Sequence, residues 1–295
     1  MTRSLFVTGA GGYLGRRVLA LANSMHDGRI VCLSRSGQPV ANASETIGGD
    51  LLDGESYARV LKTCETVLHL AAATGNNPPA EYFRVNREGT RILLDQCHKA
   101  GVKRILHVST IAVKFPDIEH YYYAQSKLQA EALVRESGLE YCIVRPTMIF
   151  GKGAPVLEGL SRLAGAPVVP LFGGGRAIVQ PVFVDDLAKG LLSLLRASRF
   201  DGQTIDFGGP DVMTMKDLLV EIRQTVYGKP ARLLPIPVGP LSAVLAILEK
   251  FMLPLLPVTA GQLTSFTSDG TAGTPHPGAG RMTTVREILR MAVAR

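Results

Sequence analysis

The sequence predicts an α/β fold, a doubly wound parallel sheet with a smaller C-terminal substrate-binding region, on three observations. Short apolar runs alternate with amphipathic helical stretches through the first half of the 295 residues. A glycine-rich turn lies between the first run and the first helix, and beyond Arg145-Pro146 the alternation breaks down. The runs Leu5–Val7, Ile30–Leu33, Val67–Leu70, Ile105–Val108 and Tyr141–Val144 have the length and composition of strands buried on both faces. Between them the helical patterns are clearest over Gly12–Ser24, Glu81–Ala100 and Ala124–Ser137. A short extra strand near Thr46–Gly48 is expected ahead of a helix starting around Asp53.

This pattern places a dinucleotide-binding domain at residues 1–150, with return segments near 177–210, and a mainly substrate-binding or lid region at 151–295. In the latter, Gly151, Gly153, Gly165, Pro167, Pro170 and Gly173-Gly174-Gly175 leave segments too short for further strand-helix repeats. Three helices are still expected: Asp186–Ala197, one capped by Thr214 and running to Tyr227, and a terminal one where Thr284 and Glu287 have capping-box spacing. The stretch Leu233–Val258 is apolar, but Pro235, Pro237, Pro240, Pro254, Pro257 and Glu249-Lys250 deny it the ~20 uninterrupted apolar residues of a membrane span. It reads as a substrate lid or a hydrophobic dimer surface, with peripheral membrane contact left open. Gly270–Gly280 reads as a linker.

The 32 Lys and Arg against 25 Asp and Glu give a formal charge of +7, but the basic residues are scattered in short pairs such as Arg16-Arg17 and Lys103-Arg104. No aromatic-interleaved basic stripe appears, so a small anionic molecule suits this charge and nucleic acid does not. Cys32, Cys64, Cys97 and Cys142 form no CxxC pair and the six histidines show no HxxxH or HExxH spacing, so no metal site is expected. Buried free thiols fit a reducing compartment. Strand residues begin almost at Met1, leaving no room for a signal peptide, and a cytoplasmic protein is expected.

The first site is the turn Thr8-Gly9-Ala10-Gly11-Gly12-Tyr13-Leu14-Gly15. One glycine lets the chain turn sharply after a strand, a second lets backbone approach a pyrophosphate, and a third lets helix and strand pack closely. The helix then aims its unpaired amides at the phosphates. Glycine pairs are commonly only turns, but a position after a strand-like run and at the start of a helix is the setting a dinucleotide cradle needs.

The second site is Tyr123 with Lys127, four apart at the start of a helical stretch and therefore on one face. An ammonium beside a phenol favours phenolate, so the tyrosine can serve as a general acid or base. Ser109 and Thr110 follow the strand Ile105–Val108 directly, at the carboxyl edge where open α/β sheets bind ligands. A hydroxyl there can bond a substrate carbonyl or simply cap a turn.

Gly9, Gly12 and Gly15, Asp50-Leu51, His69-Leu70-Ala71-Ala72, Val85-Asn86 with Gly89-Thr90, Ser109-Thr110, Tyr123-xxx-Lys127, Arg145-Pro146 with Phe150-Gly151, and Phe183-Val184-Asp185-Asp186 occur in order. Together, over about residues 4 to 210, they resemble the extended or atypical short-chain dehydrogenase/reductase superfamily, which is NAD(P)-dependent and epimerase/dehydratase-like with a Rossmann-type sheet. The resemblance implies that Tyr123 is the catalytic acid/base and that Lys127 holds the nicotinamide ribose. It makes Thr110 the carbonyl-orienting hydroxyl with Ser109 its alternate, and puts Asn86 near the active site. It implies cofactor contacts from Gly9, Gly12, Tyr13, Leu14, Gly15 and Arg16, from Asp50 and Leu51 at the adenine, and from Leu70, Ala71, Ala72 and Pro146 toward the nicotinamide. It also implies a homodimer through Glu81–Ala100 and Ala124–Ser137.

About twenty residues past the glycine turn, where an acidic residue would bond an NAD ribose, the chain has Ser34-Arg35-Ser36. A guanidinium with hydroxyls and no carboxylate suits a 2′-phosphate, so NADP is expected over NAD, with Arg16 able to add to the pocket. Sugar-nucleotide enzymes of this superfamily typically carry an Arg-Asp pair ahead of the Val-Asp-Asp element, where this chain has Val179-Gln180-Pro181. Here the chain is similar to the dehydrogenase-like accessory subunit group of respiratory complex I. The expected activity is hydride transfer between nicotinamide and a carbonyl or secondary alcohol of a small, partly hydrophobic substrate. The alternatives are a sugar-nucleotide epimerase/dehydratase and a non-catalytic NADPH-binding sensor or assembly protein.

Overall fold

A computed structural model describes residues 4–22, 24, 25, 28–197, 200–239, 241, 245, 260–273 and 280–293. Its main sheet is seven-stranded. Six strands are β1 (Leu5–Thr8), β2 (Ile30–Ser34), β3 (Glu45–Gly48), β4 (Thr66–His69), β5 (Arg104–Val108) and β6 (Glu140–Pro146). They lie in the order β6-β5-β4-β1-β2-β3, with Gln203–Phe207 beside β6. All neighbouring pairs among β1 to β6 are parallel. The strand order reverses between β1 and β4, the switch point where such sheets open a crevice at their carboxyl ends.

The strands are where their apolar runs predict, because β1, β4 and β5 are buried at every position and only continuous hydrophobic composition tolerates two covered faces. The helices are α1 (Tyr13–Ala22), α2 (Glu55–Leu61), α3 (Pro79–Tyr82), α4 (Gly89–Ala100) and α5 (Tyr122–Glu136). Phe6, Val31, Val67 and Ile105 from the sheet join Leu61, Leu93 and Val134 from these helices in one core. The four cysteines are all buried free thiols, and burial pushes Cys32, Cys97 and Cys142 up to about 12.

The expected helix Glu81–Ala100 is interrupted. Between α3 and α4 the chain makes a π-helical turn, Phe83–Glu88, and the buried Asn86 within it takes a hydrogen bond from the Ala73 amide at 2.7 Å and returns one to the Ala73 carbonyl at 3.2 Å. The wider turn accommodates an inward polar residue that a continuous apolar stripe would not.

Two compact units divide the chain: residues 1–110, 123–145 and 188–205, and residues 111–122, 146–187 and 206–295. In the second, Ile149–Phe150 pairs parallel with Val182–Phe183, Ile178–Val179 antiparallel with Met213–Thr214, and Val169–Phe172 parallel with Leu233–Ile236. Thr214 caps its helix through Asp217 as expected. Thr284 and Glu287 complete a reciprocal capping box, with the Thr284 amide donating to the Glu287 carboxylate at 2.8 Å and the Glu287 amide to Thr284 Oγ1 at 3.4 Å. Among the described residues two α-helices were not anticipated. Pro155–Gly165 starts on Pro155 and buries Leu157, Leu160 and Ala164 despite its glycines; Ala260–Thr267 is the other. Within the apolar stretch Leu233–Val258, residues 240, 242–244 and 246–258 lie outside the described residues, as do 274–279 of the expected linker. Among the described residues no helix is long and apolar enough to cross a membrane.

Two histidines occupy matched positions on β4 and β5, His69 and His107, with rings 5.1 Å apart. Thr90 Oγ1 gives its proton to the Asn86 carbonyl, so it accepts from His69 Nε2 at 2.9 Å. His69 Nδ1 then accepts from Thr8 Oγ1 at 2.6 Å, which fixes one neutral tautomer. Burial, then the nearby Lys127 charge, lowers His69 to about 3 and His107 well below its ordinary value. Unfolding lets both take up protons below the ordinary histidine value of 6.5, so the unfolded chain binds more protons there and stability must fall with pH. Between pH 6.5 and 5 the expected loss is roughly 1 kcal/mol per pH unit for each histidine. Urea unfolding across that window reads it; a midpoint independent of pH would contradict the neutral burial of both rings.

Candidate active site

The glycine turn after β1 has the shape of a phosphate cradle. Gly9 adopts φ 71°, and a Cβ there would lie 2.5 Å from the Ala71 amide nitrogen. At Gly15 it would lie 2.3 Å from the Gly9 carbonyl oxygen, so α1 packs against the turn only because residue 15 has no side chain. Gly11 is exposed and faces open space, since a Cβ there meets nothing within 4 Å. Bare backbone ahead of the ten-residue α1, with its first amides lacking helical partners, fits a pyrophosphate. The Arg16 guanidinium reaches back to the Gly11 carbonyl at 2.5 Å.

At the end of β2, Ser34 and Ser36 hydroxyls are 3.2 Å apart, and Arg35 between them is exposed. Its charge reaches Glu81, whose carboxyl is lowered mainly by the Arg84 hydrogen bond. Asp50 accepts from the Leu52 amide at 2.9 Å, shaping the loop, and Leu51 is buried in the core. Leu70, Ala71 and Ala72 leave β4 half-buried, and Pro146 ends β6 in a buried position.

Tyr123 and Lys127 stand one turn apart on α5. Tyr123 is half-buried and its ring meets Tyr82 edge-on at 6.2 Å. Lys127 is buried, and its ammonium donates to the Val108 carbonyl at 2.8 Å and lies 3.3 Å from His107 Nε2. An ammonium can only donate, so in this contact the nitrogen of the neutral His107 is the acceptor. Burial lowers the amine to about 8, while Glu131 one turn further on pushes it back up. Ser126 ties Tyr123 to the π-turn: its hydroxyl donates to the Tyr123 carbonyl at 2.8 Å and accepts from Asn86 Nδ2 at 2.9 Å. Asn86 thereby joins the loop after β4 to the start of α5.

The two hydroxyls at the end of β5 differ. Ser109 is buried and faces the Glu131 carboxylate, whose charged form it favours, although its Oγ makes no hydrogen bond of normal geometry. Thr110, one residue further, is half-buried. The spacing did not single out the ion cluster behind Lys127: Arg145 donates to Glu131 through Nε at 2.8 Å and Nη2 at 2.6 Å, and Arg135 does so at 2.7 Å. The signal was present as the i, i+4 series Tyr123, Lys127, Glu131, Arg135. Among the described residues no cluster of His, Cys, Asp or Glu could hold a metal ion.

The sequence pattern of the NAD dependent epimerase/dehydratase family matches residues 5–208. The chain is 29% identical over 260 residues to the N-acetyl-alpha-D-glucosaminyl-diphospho-ditrans,octacis-undecaprenol 4-epimerase of Escherichia coli O157:H7, covering 81% of this chain and 77% of that one. It is 30% identical over 244 residues to a 4-hydroxy-2-methyl-3-oxo-4-farnesyl-3,4-dihydroquinoline-1-oxide ketoreductase of Stigmatella aurantiaca, covering 73% of this chain and 72% of the relative. The UDP-glucose 4-epimerase of Thermotoga maritima superposes with a TM-score of 0.71 over 98% of this chain and 97% of its own, at 20% identity, a likeness of fold. A glycine cradle at a parallel-sheet switch point, a tyrosine-lysine pair at the neighbouring strand end and a match over more than half its length place this chain in the NAD dependent epimerase/dehydratase family, as an enzyme of the NAD(P)-dependent oxidoreductase type.

Proposed function

We propose that the protein is an NADP-dependent oxidoreductase acting between the nicotinamide and a carbonyl or secondary alcohol of a partly hydrophobic substrate, with Tyr123 as proton donor and acceptor. The observation that carries this reading is the Tyr123-Lys127 pair on one face of α5, its ammonium anchored on the Val108 carbonyl at the end of β5. The glycine turn would hold the pyrophosphate, and Ser34, Arg35 and Ser36, joined by Arg16, the 2′-phosphate. Lys127 would hold the nicotinamide ribose, with Leu70, Ala71 and Ala72 lining the ring. The bound dinucleotide supplies the hydride.

The chain's own task is proton transfer and orientation. Tyr123 gives its phenolic proton to the substrate oxygen in reduction and recovers it in oxidation, and the Lys127 charge lowers the cost of the phenolate between these steps. Thr110 would orient the same oxygen through its hydroxyl, a role Ser109 cannot share while it faces Glu131.

Both curated relatives described above are named for compounds bearing an isoprenoid chain, undecaprenol in one and farnesyl in the other, which supports a partly hydrophobic substrate. The 4-epimerase among them favours a second reading, epimerisation of a sugar by the same residues with no net cofactor turnover. Val179 weighs against a nucleotide-diphosphate sugar. It stands where the resemblance would need an arginine, is 1% exposed and is held in a ladder opposite Met213.

Tyr123→Phe is expected to lower turnover by at least ~100-fold while NADPH affinity changes less than about twofold. A screen of NADPH consumption over isoprenoid ketones, with lipid-linked sugars followed instead by chromatography of the epimers, identifies the substrate to use, and wild-type turnover by the variant would refute the proton-donor role. Arg35→Ala should weaken NADPH roughly 10- to 100-fold and NADH hardly at all, because only the former offers a 2′-phosphate to a charge-assisted bond. Fluorescence titration with both cofactors measures this; equal losses would remove the case for NADP.

A further inference from the structure

The interface between α5 and the sheet carries a carboxylate that folding does not call for. Glu131 is fully buried, as are Ala130 and Val134 on the same helix, and its two oxygens take three guanidinium hydrogen bonds, two from Arg145 and one from Arg135. A buried ion cluster of this kind is seldom more stabilising than apolar residues of the same volume. Its position has another consequence: Glu131 lies one turn beyond Lys127 on the same face of α5, and Lys127 one turn beyond Tyr123.

Among the described residues, the other groups around the Lys127 amine and its Glu131 neighbour are neutral or positive. From β5 comes His107, whose Nε2 accepts from the amine, and from β4 the neutral His69. Arg135 stands on α5 itself and Arg145 on β6. Among the described residues Glu131 is the one anion acting on it, and its attraction opposes the burial that disfavours the ammonium. Arg145 and Arg135 in turn keep the carboxylate ionised against its own desolvation.

We propose that Glu131 is a positioning residue for the reaction, the countercharge that keeps Lys127 an ammonium beneath Tyr123, with Arg145 setting how much of that negative charge the lysine feels. This rests on Tyr123 and Lys127 working as a pair, as proposed above. Two protons of the ammonium are committed to Val108 and His107, which leaves the third for the ribose or the phenol. Loss of the charge would weaken that bond and raise the cost of the phenolate together.

The test is the titration of Lys127 in the full-length protein labelled with 13Cε-lysine, its resonance assigned by its loss in Lys127→Arg. Glu131→Gln should move the midpoint down by about one pH unit, and Arg145→Gln should move it up, because it removes a cation that competes for the same carboxylate. The pH above which NADPH affinity declines should move with the lysine in each variant, and Glu131→Asp should recover part of the Glu131→Gln shift. Opposite shifts are the signature of a countercharge; if Glu131 only braced the fold, both variants would lose stability while the Lys127 midpoint stayed put, and that result overturns the proposal. Should Glu131→Gln fail to fold, Arg145→Gln alone decides, an unchanged or lowered midpoint being the contrary result. Opposite shifts together with an active Tyr123→Phe would leave the countercharge standing and refute the proton-donor reading instead.

Discussion

One amine organises the buried face of α5. Lys127 is drawn out of water into the space between α5 and the sheet, where its ammonium is held by the Val108 carbonyl and by His107. A cation in that position is tolerable only because the surrounding groups were arranged for it: a carboxylate one turn away, two histidines kept neutral, and a strand end that offers its carbonyl. In return the charge lies beside the first turn of α5, where Tyr123 sits at the edge of the buried region. Much of the polar chemistry in the first unit can be traced to this placement.

The tyrosine is fixed by a separate set of contacts. Thr8, His69, Thr90 and Asn86 form a hydrogen-bonded line across β1, β4 and the helix after it, and Asn86 continues through Ser126 to the Tyr123 backbone. Asn86 also clamps Ala73, next to the half-buried residues that leave β4. The loop expected against the nicotinamide and the helix carrying Tyr123, the proposed acid/base, are therefore tied to one side chain. A π-turn, which widens the helix by one residue, is what brings that side chain inside.

Much of this could be read from the residues alone, for physical reasons that differ by element. The strands of the main sheet declare themselves because two buried faces demand unbroken apolar runs. The glycine turn does so because Gly9 and Gly15 leave no room for a Cβ. Tyr123 and Lys127 stand out because helical geometry makes an i, i+4 pair adjacent. The π-turn did not show, since Phe83–Glu88 has ordinary helical composition and depends on Asn86 finding a backbone partner thirteen residues away. The helix Pro155–Gly165 was obscured by its own glycines, although Leu157, Leu160 and Ala164 mark a buried stripe. Glu131 is marked in the sequence only by the i, i+4 series it shares with Lys127 and Arg135, and the packing of Arg145 from a distant strand is what reveals it as buried. Thr110 was preferred to Ser109 only through the resemblance; in the structure Ser109 is turned inward to Glu131 and Thr110 is left half-buried beyond the strand end.

The most direct measurement is a crystal structure of the protein with NADPH bound. If Tyr123 is the proton donor, its hydroxyl will face the C4 side of the nicotinamide, at the position a substrate oxygen would take within about 3 Å of it, with Lys127 Nζ bonded to a ribose hydroxyl. A nicotinamide bound away from α5, or a Tyr123 hydroxyl turned to bulk solvent with Lys127 still directed only at Val108 and His107, would contradict that role.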